Sequence, residues 1–137
     1  MKLFFSRILN FIYLATKAWQ AAWLEIWRNN FGRWLMITNS ILLIIAWLQT
    51  IAMARLGGDG LLILHYNIHF GIDLIGSAGS IYWLPIGATI AVLLNSFILP
   101  IQYNANRQLK MTVLGGSLAV LVFINLALSG LLLINFR

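Results

Sequence analysis

The sequence predicts an all-α membrane protein: three transmembrane helices preceded by an amphipathic interfacial helix, with a short β-like element in an outer loop. Hydrophobic residues fill 61% of the 137 positions, and charged residues fill only 9%. Soluble domains contain about 25% charged residues, so this composition excludes an ordinary water-soluble fold. Three long apolar stretches and one segment of alternating apolar and polar residues provide the details of the prediction.

The predicted spans cover residues 34–53, 81–101 and 112–136. Each has about 20 residues or more, enough to cross a hydrocarbon core of about 30 Å at a rise of about 1.5 Å per residue. The spans are flanked by aromatic and basic residues that are typical of membrane interfaces, namely Arg33, Trp34, Arg55, Tyr82, Trp83 and Tyr103. We therefore expect one membrane domain over residues 34–137, with an outer loop at 54–80.

The distribution of Lys and Arg predicts the orientation. Five of these residues precede the first span and two lie in the 102–111 loop, whereas Arg55 and Arg137 lie on the other side. Basic flanks are retained in the cytoplasm, so we expect a multi-pass protein of the cell (inner) membrane with a cytoplasmic N-terminus and an external C-terminus. The net charge of +6 then indicates attraction to lipid headgroups. We expect no nucleic-acid partner, because no soluble basic patch is evident.

Residues 1–33 are predicted to form an amphipathic helix at the cytoplasmic interface of the lipid bilayer. At 100° per residue, polar side chains cluster on one side: Lys2, Ser6, Asn10, Lys17, Gln20 and Arg28. The other side is apolar: Phe4, Phe5, Ile8, Phe11, Ile12, Ala15, Trp19, Ala22, Trp23 and Ile26. A signal peptide is the main alternative, but Arg7 and Asn10 interrupt its apolar region. A fourth span would bury Lys17 and Gln20 in lipid.

Three asparagines are the candidate polar contacts between helices. Asn39 and Asn95 are expected at the same depth, about 8 Å inside the cytoplasmic boundary, where they would hydrogen-bond to each other. Asn125 lies midway along the third span, which also offers small residues at Gly115, Ala119 and Ser129. No span body contains a charged residue or histidine, which favours helix packing over a transport pathway. Since three helices bury these groups poorly, we expect a homo-oligomer or a larger membrane partner.

The alternating segment at residues 64–74 is the candidate recognition or structural motif. In an extended chain His65, Asn67, His69 and Asp73 would share one face with Gly71. The opposite face would be apolar, comprising Tyr66, Ile68, Phe70, Ile72 and Leu74. This pattern predicts a strand, or a short hairpin bent at Gly71, resting on the bilayer.

The same residues are candidates for a metal site. His65, His69 and Asp73 would share one face of a helix, and their side chains suit zinc. In an extended strand, however, His65 and Asp73 would lie about 26 Å apart at about 3.3 Å per residue, unless a turn reunites them. Cysteine is absent. We therefore predict no metal and no cofactor, favour a hydrogen-bonded structural role, and leave ligand recognition and pH sensing through histidine open.

The string His65-Tyr66-Asn67, followed by Asp73 and Gly76, resembles the signature of a small bacterial membrane domain of unknown function. That domain is found at the start of SdpI-like immunity and signalling proteins, whose motif reads Pro-x-His-aromatic-Asn, then Gly, Asp and Gly. The resemblance covers residues 61–100, although Ile63 replaces the proline and Gly71 comes one position late. The chain is also similar to short membrane proteins of reduced-genome bacteria. The resemblance implies an outer recognition element that binds or senses extracellular peptides.

Three classes of function follow. The first is a non-enzymatic accessory or assembly subunit of a membrane complex, which agrees with the lack of a catalytic constellation. The second is an immunity or extracellular-signal sensing protein of the SdpI-like kind that uses the outer loop. The third is a metal-dependent membrane enzyme, disfavoured because the single glutamate, Glu25, is expected on the opposite side of the membrane from the histidines. We expect the first.

Overall fold

The computed structural model describes residues 2–67, 69–101 and 107–136. Its elements in chain order are α1 (Lys2–Arg28), α2 (Asn30–Gly57), β1 (Leu61–Asn67), β2 (Gly71–Ser77), a 3-10 helix (Ala78–Tyr82), α3 (Trp83–Ile101) and α4 (Arg107–Asn135). The predicted fold class is confirmed in its main features, since the described chain is mostly helical with one small two-stranded sheet. It contains three helices long and apolar enough to cross a membrane.

The helix boundaries differ from those predicted. The first spanning helix begins at Asn30 instead of residue 34, because Asn29 is the N-cap residue that separates α1 from α2. Its backbone is extended, and its side-chain oxygen accepts a hydrogen bond of 3.0 Å from the Gly32 N–H. An asparagine in this position satisfies one of the free N–H groups of the first turn. The chain therefore turns sharply at residue 29, and α1 is a separate helix.

Gly32 marks the close approach of three helices at this turn. A Cβ atom at Gly32 would come within 2.8 Å of the Ile26 carbonyl oxygen and 3.0 Å of the Met111 side chain. Ile26 of α1, Leu35 of α2 and Leu114 of α4 form a buried apolar cluster beside it. The absence of a side chain at residue 32 thus allows α1 to pack against the start of both α2 and α4.

A second apolar cluster lies at the other end of the bundle, beneath the β-hairpin. Its buried residues come from α2, β1, the 3-10 helix and α4: Ala46, Met53, Leu62, Ala78, Ile81, Leu128 and Leu131. Leu62 of β1 is almost fully buried and packs on Gly57 at the end of α2. Burial of a leucine side chain contributes about 1.5–3 kcal/mol. The hairpin is therefore part of the bundle and does not hang free from it.

Candidate recognition site

The outer loop forms an antiparallel hairpin rather than a single strand. Leu61 pairs with Ser77, and Asn67 pairs with Gly71 at the tip. The register is irregular in the middle, where Ile63 pairs with Ile75 but His65 pairs with Leu74 and Tyr66 with Ile72. Leu64 and Asp73 therefore have no opposite partner. Such bulges bend a strand and redirect its side chains, so the strict alternation of the sequence is not preserved along the hairpin.

Two residues shape the turn that reverses the chain. The Asn67 side-chain oxygen accepts a hydrogen bond of 2.8 Å from the His69 backbone N–H, a local bond that favours a turn. Gly71 has a φ of 76°, in the left-handed region where a side chain is strained. The expectation that Gly71 supplies the bend is thereby confirmed. The predicted apolar residue Ile68 lies outside the described residues.

The turn brings His65 and Asp73 together. The His65 Nδ1 atom lies 2.6 Å from a carboxylate oxygen of Asp73, within hydrogen-bond distance. Both side chains are exposed, at 60% and 41% respectively. A continuous extended strand would hold the two residues about 26 Å apart, and the turn reunites them because each lies on a different strand of the hairpin. An exposed pair of this kind contributes at most about 1 kcal/mol and chiefly orients the two side chains.

His69, the third candidate metal ligand, does not form a metal-binding group with His65 and Asp73. Over the described residues, no group of three or more His, Cys, Asp or Glu side chains lies close enough to hold an ion. His69 is exposed at the turn, where its backbone N–H bonds to Asn67. The arrangement offers an imidazole, a carboxylate and an amide on one projecting hairpin, which suits hydrogen bonding to a polar partner.

Gly76 has a packing role. A Cβ atom there would overlap the Leu64 side chain, which lies across the glycine from the opposite strand. Leu64 in turn packs against the apolar cluster beneath the hairpin. The small residue at position 76 thus allows the bulged Leu64 to turn inward. Because Leu64 also packs on the apolar cluster, Gly76 links the conformation of the hairpin to the packing of the helices beneath it.

Asn135 fixes the hairpin to the last helix, a contact that the sequence did not indicate. Its side-chain oxygen accepts from the Ile63 N–H at 2.8 Å, and its Nδ2 donates to the Ile63 carbonyl oxygen at 2.9 Å. The same Nδ2 donates to the Leu131 carbonyl oxygen at 2.9 Å. One amide therefore satisfies both backbone groups of Ile63 on the outer edge of β1. The hairpin is held on α4 as a defined surface.

The three predicted helix contacts are present, but with different partners. Asn39 Nδ2 donates to the Leu114 carbonyl oxygen of α4 at 3.3 Å, and Asn95 Nδ2 donates to Ser117 Oγ of α4 at 2.7 Å. The predicted bond between Asn39 and Asn95 is wrong, because both amides bond to α4 instead. Asn125 Nδ2 donates to the Leu42 carbonyl oxygen at 3.1 Å. Helix α4 is thus the common partner of α2 and α3.

A salt bridge joins α1 to α4 at the end of the bundle opposite the hairpin. Lys110 Nζ lies 2.5 Å from a carboxylate oxygen of Glu25. The Lys110 side chain is 2% exposed, whereas that of Glu25 is 48% exposed. Lys110, expected in the 102–111 loop, lies in the first turns of α4. Glu25 and Lys110 are 85 positions apart, and no sequence pattern indicated that they would pair.

No family model matches the chain, and neither a curated protein nor a solved structure is detectably similar to it. The functional interpretation therefore depends on the residues and geometry described above.

Proposed function

We propose that this protein is a non-enzymatic accessory or assembly subunit of a membrane complex, which contacts its partner through the β-hairpin. The observation that carries the proposal is the difference between the two edges of the hairpin. On the outer edge of β1, the backbone of Ile63 is bonded to Asn135 of α4. Within the described chain, β2 has no strand on its other side.

The composition of β2 supports strand pairing with a partner. Proteins commonly protect a free edge with charged side chains, proline, bulges or a very short strand. Here the edge spans seven residues, Gly71–Ser77, with one charge, Asp73, at its bulge and neither lysine nor proline. Its apolar side chains Ile72, Leu74 and Ile75 are each at least half exposed. An added strand from a partner would bond to this edge and cover these side chains. The free edge therefore favours a binding role over catalysis.

The helices support the same proposal. In the most apolar windows of α2, of the segment Ala78–Ile98 and of α4, only 22%, 17% and 22% of residues are buried within the chain. Most of each helix surface therefore faces lipid or the helices of a partner. We place the N-terminus in the cytoplasm and the hairpin outside the cell membrane, from the distribution of basic residues. The partner is a second copy of the chain or a larger membrane protein.

We also propose that α1 lies along the cytoplasmic surface of the bilayer. Large apolar side chains such as Phe5, Phe11 and Trp27 are exposed on α1, which supports contact with lipid. The salt bridge between Glu25 and Lys110 would hold the end of α1 close to the bundle. To test this placement, the chain is truncated so that α1 remains without the spans. Release of α1 from the bilayer by an alkaline wash would agree with the placement.

The experiment places a photoreactive residue at Ile75 on β2, in native membranes. We expect a crosslink to one discrete protein, or to a second copy. The matched control carries the photoreactive residue at Leu61, which is 75% exposed on β1, and should not give that product. Ile75→Lys should remove the partner during purification in mild detergent, whereas Leu61→Lys should retain it. Crosslinks to lipid alone, with recovery of the chain alone, would refute the proposal.

A second candidate is an SdpI-like immunity or signal-sensing function, favoured by the contact between His65 and Asp73. The hairpin brings these two motif residues together and exposes both, as binding of an extracellular peptide would require. Asp73→Ala should then abolish protection of cells from such a peptide, while Asp59→Ala, in the exposed turn after α2, should not. Equal protection by both variants would exclude this function.

A further inference from the structure

A small cavity with polar walls lies between the helices, at the end of the bundle away from the hairpin. It has a volume of about 100 Å³ and is lined by residues of all four helices. Its polar lining residues are Trp23, Asn39, Ser40, Asn95, Ser96 and Ser117. Polar side chains are sparse in these apolar helices, so their convergence around one cavity requires an explanation beyond helix packing.

Two buried polar atoms of the lining have no hydrogen-bond partner among the described residues. They are the indole Nε1 of Trp23, a donor, and the side-chain oxygen of Asn39, an acceptor. The Asn39 residue is only 6% exposed. An unpaired polar group in an apolar medium costs about 1–3 kcal/mol, so a ligand that bonds to it is strongly favoured there.

Asn95 has a complementary arrangement. Its Nδ2 atom donates to Ser117 Oγ at 2.7 Å, which orients the side chain towards α4. The hydroxyl groups of Ser40 and Ser96 each donate to a carbonyl oxygen of their own helix. These donations leave lone pairs on the serine oxygens as acceptors. The lining thus offers several neutral oxygen acceptors and one indole donor.

The chemistry of the lining selects the class of ligand. Among the described residues no charged side chain lines the cavity, so neither a phosphate group nor a carboxylate would find a counter-charge there. Its remaining walls are apolar, consisting of Met36, Leu43, Val92 and Leu114. A hydroxyl group accepts one hydrogen bond and donates another, which matches an indole N–H together with an amide oxygen. A hydroxyl group attached to a hydrocarbon fits both kinds of wall.

The position of the cavity indicates where such a group would come from. Measured from the ends of the apolar stretches at residues 34, 101 and 112, Asn39, Asn95 and Ser117 lie about 8–9 Å into the hydrocarbon core at about 1.5 Å per residue. That depth is within the apolar part of a bilayer, close to its polar boundary. Ser40 at the rim is exposed, whereas Asn39, Leu114 and Ser117 are buried. The cavity is therefore closed by helix residues at Asn39, Leu114 and Ser117 and reaches the surface of the bundle at Ser40.

We propose that this cavity binds the free hydroxyl group of an uncharged membrane lipid such as a diacylglycerol. The hydroxyl group lies among Trp23, Asn39 and Asn95, and the acyl chains follow the apolar surface of the helices. The volume of about 100 Å³ admits the few atoms around the hydroxyl group but not a phosphate headgroup with its counter-ions. This site is independent of the hairpin and of its proposed partner.

The test is native mass spectrometry of the full chain in detergent with dioleoylglycerol. We expect a one-to-one adduct that is absent when the free hydroxyl group of the lipid is acetylated. Glycerol distinguishes a membrane source from a water-soluble one, and we expect no glycerol adduct. Equal binding of the acetylated lipid would overturn the proposal, and so would binding of glycerol without binding of dioleoylglycerol.

Variants locate the site. Trp23→Phe removes the indole donor while keeping an aromatic ring, and should weaken the adduct about three- to tenfold, as for the loss of one hydrogen bond. Trp27→Phe on the same helix is the matched control and should bind like the unmodified chain, because Trp27 does not line the cavity. If Trp23→Phe fails to fold, Asn95→Ala removes another group placed beside the hydroxyl and tests the same site. Unchanged binding by a folded variant of Trp23 or Asn95 would refute the site.

Discussion

Breaking the salt bridge between Glu25 and Lys110 should destabilise the protein by an amount that depends on which partner is replaced. Lys110 is 2% exposed and Glu25 is 48% exposed. Glu25→Gln therefore removes the Glu25 carboxylate from beside a buried ammonium group. Lys110→Met instead leaves a carboxylate that water can reach, and it fills the buried space with an apolar side chain of similar length.

The magnitude follows from this asymmetry. Removing one partner of a fully buried pair costs about 3–5 kcal/mol, and exposed pairs contribute about 0.2–1 kcal/mol. Because one partner is half exposed, we expect Glu25→Gln to lower the free energy of unfolding by about 2 kcal/mol, between these limits. Lys110→Met should lower it by less than about 1 kcal/mol, since no buried charge remains.

The assay is equilibrium unfolding in mixed micelles, with the two single variants, the double variant and the charge-exchanged Glu25→Lys, Lys110→Glu chain. The double variant should be more stable than Glu25→Gln alone, because Lys110→Met also removes the buried charge. Limited proteolysis should show easier release of α1 in Glu25→Gln. A greater loss in Lys110→Met than in Glu25→Gln would refute the reasoning, as would no loss in either variant.

Three further predictions concern the hairpin and its attachment. Asn135→Leu removes both hydrogen bonds to Ile63. We therefore expect it to lower the free energy of unfolding by about 1–3 kcal/mol and to speed hydrogen exchange in β1. The control on the same helix, Asn125→Leu, should lower the free energy of unfolding by about 0.6 kcal/mol and leave hydrogen exchange in β1 unchanged. Gly71→Ala, at a φ of 76°, should lower the free energy of unfolding by about 1–2 kcal/mol, and Gly71→Asn by less, because asparagine tolerates this conformation; equal melting temperatures in thermal scanning would contradict this. Gly76→Val should displace Leu64 and lower stability by about 1–3 kcal/mol, whereas Gly79→Val, with only the Ser77 hydroxyl nearby at 3.9 Å, should melt like the unmodified protein.

The spanning helices could be predicted from sequence because length and apolar composition are local properties. The same holds for the glycine at the turn, since a φ of 76° is a demand on one residue. Helix α2 begins four residues before the apolar stretch at Trp34, because the helix starts where Asn29 caps it. Apolar composition indicates which residues can lie in the hydrocarbon core, whereas the N-cap residue determines where the helix begins.

The contacts between elements could not be predicted because they depend on how helices rotate against one another. Asn39 and Asn95 have similar depths, yet both face α4. The partners Glu25 and Lys110 are 85 positions apart, and nothing in the sequence around them distinguishes them from the other charged residues. For His65 and Asp73, alternation gave the extended backbone correctly but not the pairing register, which the bulges at Leu64 and Asp73 alter.

The bond between Asn135 and Ile63 has a consequence for how the protein is made. The two residues are 72 positions apart, and the hairpin is synthesised well before α4. The backbone N–H and carbonyl groups of Ile63, on the outer edge of β1, therefore lack their Asn135 partner until the last helix has been inserted. During synthesis, the hairpin is consequently open to pairing with other strands at both edges until α4 is inserted. After that insertion only the edge of β2 remains available among the described residues.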